Sequence, residues 1–419
     1  MKSPVPDYLE HVLKRYAPDH SGEVKDAYRN APECDPDQLA IAITTVEGAT
    51  YCAGDADNHF PIESMSKPFT YGLALEDSGE DAVHRKIGVE PSGDAFNEIS
   101  LEPSTGRPFN AMINAGAIAA HALVSGADCD ERTARIRQHY SQLAGRELSF
   151  DESEHNVAHR NLAIGHMLRT VDVLEEEPAE VVRGYTWQCA FSVTTRDLSL
   201  MAATFANGGL QPISGDRLLS RATVRQVLSV MLTCGMYDAA GDWMSAVGIP
   251  AKSGIAGGII GVLPGQLGIA VYSPRVDSRG NSVRGVELFE HLSRDMELHL
   301  METPPIGRSV FRASGVRGTA LCYQLQGAVR FAGIEAVVRE VEQREQEDLA
   351  IIFDFVRVTG FSDVARRLTF ELVRRLVTDD HASIVLVDPD GVLGTPEDGA
   401  ERWPTVVDSL ERADALIGQ

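Results

Sequence analysis

Two apolar strand pairs stand far apart in this chain of 419 residues, and they limit the folds open to it. In the first, LAIAITTV (Leu39–Val46) turns at Glu47-Gly48 into ATYCAG (Ala49–Gly54). In the second, GGIIGVL turns at Pro264-Gly265 and returns as QLGIAVY. Helical periodicity fills the interval, over Ser64–Asp77, Ala111–Val124, Asn156–Arg169, Thr195–Ala206 and Ala222–Cys234. Strands at both ends of a region with helices inserted between them predict an antiparallel sheet covered by helices.

A different pattern begins after the text LHLMETPPIGR, where a Pro-Pro run follows the helical pattern of Gly285–Leu300. The boundary belongs there: residues 1–303 as one domain, 304–308 as a linker and 309–419 as a second domain. Beyond it the patterns predict strands at Ser309–Ala313 and Thr319–Gln326, a helix at Phe331–Gln346 and a strand at Leu349–Phe355. A helix at Ser362–Val377, a strand at Ser383–Val387 and a last helix at Thr405–Ile417 follow. Strands alternating with helices imply a small α/β layer structure. No internal repeat is visible.

Lys plus Arg number 38 against 61 for Asp plus Glu, a net charge of −23 that repels phosphate backbones and anionic headgroups. Nucleic acid and membrane surfaces are excluded as expected partners. The six cysteines (Cys34, Cys52, Cys129, Cys189, Cys234, Cys322) form no C-x-x-C pair, and MKSPVPDYLEHVLKRY lacks an apolar signal core, so a cytoplasmic protein is expected. Only six residues are Lys (Lys2, Lys14, Lys25, Lys67, Lys86, Lys252), so each of those positions is informative.

Ser64-Met65-Ser66-Lys67 opens a helical pattern after Pro61-Ile62. Residues three apart share a helix face, so Lys67 can take the proton of Ser64 once its pKa is lowered, which Arg could not do. The plain reading of such a motif is an N-cap serine and a solvated lysine. Lys252-Ser253-Gly254, leading into the Gly257-Gly258 strand, repeats the pairing of a second cation with an S-x-x-K helix found in penicillin-recognising serine hydrolases, where it helps to lower the first lysine's pKa. Asn114, in the apolar run MINAGAI, either stitches the core or faces a polar ligand. His155 and His159 lie four apart, but Glu154 precedes the first His instead of following it, so no metal is expected. Glu154 and Asn161 are two helical turns apart on one face and could hold a zwitterion, or be a solvated polar face. Tyr185 and Tyr237 are read singly as half-buried packing.

Taken in order, these segments resemble the serine-dependent glutaminase family. GDADNHFPIESMSK, GVEPSGDAFNEI, INAGAI, the E-H-x-x-x-R-N segment, Tyr185 with Gln188-Cys189, GMYDAAGD and AKSGIAGG carry the resemblance, from about Tyr8 to His299. It implies a β-lactamase-like catalytic domain that needs no cofactor or metal. It also implies hydrolysis of L-glutamine to L-glutamate and ammonia through a glutamyl ester on Ser64, with Lys67 as base and Tyr185 relaying a proton. Asn114, Glu154, Asn161, Tyr185 and Tyr237 would meet substrate, and the amides of Ser64 and Ile255 would form the oxyanion hole. Tyr28 falls near another family tyrosine, but YRNAPECDP lacks the family's Tyr-x-Pro. A homodimer or homotetramer is implied as well. The segment from about 309 to 419 resembles a STAS domain, a module that docks protein partners. Aligning Asp354 of DFVRVTGFSDVA with that module's loop puts Val364 where regulatory members carry a phosphorylated serine, and Ser362 nearby but displaced.

Two other readings use the same residues. β-Lactam hydrolysis would share Ser64, Lys67 and Lys252 but lacks a persuasive S-x-N element. An amino-acid sensor would bind glutamine without releasing ammonia.

Overall fold

The computed structural model describes residues 3–25, 35–92, 100–150, 159–302, 310–343, 349–378, 383–396 and 403–417. Two compact units emerge: Leu9–Glu290, and a second made of Met1–Tyr8 with His291–Gln419.

In the first unit the two expected hairpins form and join. Strands β1 (Ala40–Thr45) and β2 (Thr50–Gly54) pair antiparallel, with Ala40 opposite Gly54. The later pair is preceded by two strands of two residues each, β3 (Phe60–Pro61) and β4 (Ser192–Val193), which form a small sheet of their own, and by a short strand β5 (Ala251–Ser253). Then come β6 (Gly258–Leu263) and β7 (Leu267–Tyr272), and β7 pairs with β1 to close a five-stranded antiparallel sheet in the order β2-β1-β7-β6-β5.

Every residue of β1, β6 and β7 is buried, so the sheet is covered on both faces. Glycines show what covers it. A Cβ on Gly268 would meet the Ala203 backbone at 2.2 Å, while one on Gly261 would meet the Phe289 ring at 2.5 Å. Gly261 lies opposite Ile269, the neighbour of Gly268 along β7, so the two glycines point to opposite faces. The Thr195–Ala206 helix therefore lies on one face, started by a capping box between Thr194 and Asp197, and the Val283–Met296 helix on the other. The latter stops four residues short of the expected Leu300, where Glu297 turns left-handed.

Around that sheet stand α1 (Lys67–Ser78), α2 (Asn114–Ala122), α3 (Cys129–Ala144), α4 (His159–Thr170) and α5 (Pro178–Ala190), which build the site described below. Helix α2 is buried from Asn114 to His121, and only a glycine at Gly116 fits, since a Cβ there would overlap the Asn110 carbonyl at 1.9 Å.

The second unit is a mixed sheet: β8 (Phe311–Arg317), β9 (Ala320–Val329), β10 (Ala350–Phe361), β11 (Ile384–Val387) and β12 (Thr405–Val407), in the order β12-β11-β10-β9-β8. Only the β8–β9 pair is antiparallel; the helices Phe331–Glu342 and Asp363–Thr378 make the crossovers between parallel strands. Residues Thr405–Val407, expected as the start of the last helix, instead pair parallel with Val385–Val387. Two successive valines favour a strand, and Ser409 then caps the Leu410–Ile417 helix through the Arg412 amide. Likewise DFVRVTGF (Asp354–Phe361) is the later part of a long, twice-bulged β10, and Val364 is buried at the start of the following helix, whose Ala365 amide donates to the Ser362 hydroxyl. Within this unit Arg375 binds the Ser3 carbonyl (2.9 Å), Glu371 (2.8 Å) and Asp7, and Arg367 and Tyr8 both donate to Asp295. The linker expected at 304–308 lies outside the described residues.

Candidate active site

The S-x-x-K segment is not an α-helix from its first residue. Glu63–Ser66 is a 3-10 turn, and the α-helix starts at Lys67. The cause is Pro68: it has no N–H to give the Ser64 carbonyl, so the Lys67 amide takes that carbonyl with the shorter 3-10 span. Ser64 and Lys67 still share one face. The turn is held from outside by the β3–β4 pair and by the Ile62 amide on the Phe191 carbonyl (2.8 Å).

Lys67 is 1% exposed, and its ammonium donates to Asn114 Oδ1 at 2.7 Å. Tyr185 from α5 donates to the same oxygen at 3.3 Å, and Asn114 Nδ2 donates to Asn161 Oδ1 on α4 at 3.1 Å. Asn114 thus ties its own helix to three others through its buried side-chain amide. Burial lowers Lys67 to about 8, against the opposing pull of Cys189 and Glu63. An amine in that range carries a substantial neutral fraction near neutral pH and can accept a proton.

Lys252 is buried on β5, donates to the Ser253 carbonyl (2.7 Å) and lies 3.7 Å from the Tyr237 ring centre; Lys67 lies 5.6 Å from the same ring. Burial, and then the neighbouring Lys67, push Lys252 well below the usual amine range. Burial raises both phenols: Tyr185 well above its usual range, and Tyr237 upward against a hydrogen bond with Ser64. Gly254 brings the strand end against the nucleophile turn, since a Cβ there would sit 3.3 Å from that of Glu63; Ile255, half-buried, follows.

Ser64, Lys67, Asn114, Asn161, Tyr185 and Tyr237 are thereby linked through shared contacts. Glu154, His155 and Tyr28 lie outside the described residues. A second set of residues was given no role from the sequence. Gln188 donates to Ser66 Oγ (3.2 Å) and its carbonyl faces His121 Nδ1 (3.0 Å), while Tyr140 donates to the Ser66 carbonyl (2.9 Å) and pairs with Thr70 (2.5 Å). Burial holds His121 near 3, so it is neutral. These groups grip the middle of the S-x-x-K turn. The available signal was Gln188 lying three residues after Tyr185 on one helix face.

The glutaminase family model matches residues 22–301. A glutaminase of Corynebacterium glutamicum is 47% identical over 396 residues, covering 93% of this chain and 95% of that protein. A glutaminase of Trichormus variabilis is 43% identical over 304 residues, covering 72% of this chain and 91% of that protein. Among solved structures, a crystal structure of Mglu superposes with a TM-score of 0.71 at 46% identity, covering 94% of this chain and 100% of that one. Sequence family, full-length relatives and structural neighbours agree, and the chain belongs to the glutaminase family of amidohydrolases.

Proposed function

We propose that this enzyme hydrolyses L-glutamine to L-glutamate and ammonia through a Ser64–Lys67 dyad. The observation that carries the reading is the buried Lys67 ammonium, lowered to about 8 and tethered to Asn114, one turn beyond Ser64. Lys67 takes the Ser64 proton as the hydroxyl oxygen attacks the side-chain carboxamide carbon. The amides of Ser64 and Ile255 stabilise the oxyanion. The proton then passes to the departing nitrogen, directly or through Tyr185, and ammonia leaves a glutamyl ester. Water, deprotonated by the same amine, cleaves the ester and restores Ser64. Asn114, Asn161, Tyr237 and Glu154 hold the α-carbon end, with Glu154 on the α-ammonium.

The antiparallel sheet between helix layers supports a β-lactamase-like domain, and the mixed sheet with its crossovers supports a STAS-type module that binds a protein partner. Assembly as a homodimer or homotetramer and a cytoplasmic location complete the reading. No helix among the described residues is long and apolar enough to cross a membrane.

Ammonia release from L-glutamine and L-asparagine, measured side by side, tests the substrate. Fixed contacts at the α-carbon end and a fixed Ser64 leave one span between them. Removing a methylene misplaces the carboxamide by more than about an ångström and costs on the order of a hundredfold in rate. Equal efficiencies would contradict the assignment.

A chain ending at Thr303 is expected to keep glutaminase activity. Every proposed site residue lies before that point, and the Trichormus variabilis protein leaves under a tenth of itself unmatched, too little for a second unit of this size. The truncation strips Ser3, Asp7 and Asp295 of their Arg367 and Arg375 partners, so lowered solubility is the expected penalty. A soluble, monodisperse but inactive product would show that the residues beyond 303 are needed for catalysis.

A further inference from the structure

Asp128, Thr194 and Ser220 each stand directly before an α-helix with extended backbone, and each side-chain oxygen accepts from the amide three residues on. Ser66 stands in the same place before α1 and does neither. Its backbone is right-handed helical (φ −65°, ψ −29°), and its hydroxyl makes no cap bond. Serine favours capping, so its oxygen must be held by a competitor. Gln188 is that competitor. It is buried on α5, and its Nε2 donates to Ser66 Oγ at 3.2 Å, taking the oxygen that a cap bond would use. The Ser66 proton is left for Cys189 Sγ, 4.0 Å away.

The Gln188 amide has one orientation open to it. Its Oε1 can only accept, so His121 Nδ1 at 3.0 Å donates, and the NH₂ end then faces Ser66. The imidazole is packed against α5 as well, since a Cβ on Gly184 would stand 2.4 Å from its Nε2. Tyr140 fixes Ser66 from the other side, through its carbonyl.

We propose that Gln188 is a positioning residue for the dyad: by keeping the Ser66 hydroxyl off the helix cap it preserves the 3-10 winding that stacks Ser64 over Lys67. The inference rests on the Ser64–Lys67 reading. Side chains three apart eclipse one another at three residues per turn, whereas in an α-helix they stand about 60° apart. A cap bond from Ser66 to the Phe69 amide would need extended backbone at Ser66, which breaks the winding between nucleophile and base. The groups proposed to hold the α-carbon end lie outside the Glu63–Ser66 turn, so the damage should fall on kcat and not on KM.

Steady-state kinetics on L-glutamine test this with the full chain carrying Gln188→Met, alone and together with Ser66→Ala, which leaves no hydroxyl to cap with. Gln188→Met alone is expected to lose on the order of a hundredfold in kcat with KM changed by less than about twofold. Adding Ser66→Ala should bring kcat back to within about tenfold of the parent. Both proteins strand the same His121 N–H, so a general loss of packing would lower them alike and could not produce the recovery. The pair is repeated with His121→Leu added, where that N–H is gone as well, in case the first pair folds poorly. Parental kcat in Gln188→Met, or equal losses with and without Ser66→Ala in both backgrounds, overturns the proposal. Ser64→Ala, assayed alongside, separates this from the reading beneath it: turnover within about tenfold of the parent there removes the dyad and the proposal with it, whereas an inactive Ser64→Ala with no recovery by Ser66→Ala overturns the role of Gln188 alone.

Discussion

Replacing Ser64 with alanine is expected to lower ammonia release from glutamine on the order of a thousandfold or more while leaving glutamine binding measurable by calorimetry. The side chain is 6% exposed in a 3-10 turn that alanine tolerates, and the turn is anchored through the Ile62 amide and the Ser66 carbonyl, not through the Ser64 hydroxyl. The loss should fall on kcat, because the hydroxyl oxygen is asked to form a bond that binding alone does not require. Turnover within about tenfold of the parent would remove Ser64 as nucleophile.

Lys67→Arg should be nearly as damaging, on the order of the 10² to 10⁴ that a positioned general base supplies. Arginine keeps a cation beside Asn114 Oδ1 but cannot release a proton to become a base. Because the lysine is fully buried, the bulkier guanidinium also disturbs packing, so Lys67→Met, uncharged and of similar length, separates the two causes. Both variants should be inactive. In the parent the base works when deprotonated, so kcat/KM should rise with pH until about 8 and then level. An active Lys67→Arg enzyme that keeps this rise would place the base elsewhere.

What the sequence made legible was local. Ser64 and Lys67 are three apart, Lys252-Ser253 sits on a strand bounded by glycines, and both hairpins carry their own turns, Gly48 and Gly265 adopting φ of 90° and 76°. Each of these can be read from one short window. The grip on Ser66 was hidden because it joins residues as far apart as Thr70, Tyr140 and Gln188, all ordinary polar types whose meaning comes from burial. The 3-10 turn followed from Pro68, which was in plain view but was read as helix by periodicity. Thr405–Val407 was misread for the opposite reason, being too short for its period to decide between strand and helix without the β11 partner.

Hydrolysis through the dyad requires a covalent bond to form at Ser64. Mixing the full chain with L-glutamine, quenching in acid within the first turnover and mapping peptides by mass spectrometry tests it most directly. A glutamyl adduct is expected on the Ser64 peptide, appearing with the first ammonia and absent in Ser64→Ala. Release of glutamate at the parent rate with no adduct at Ser64, or with the adduct on another residue such as Cys189, would contradict it.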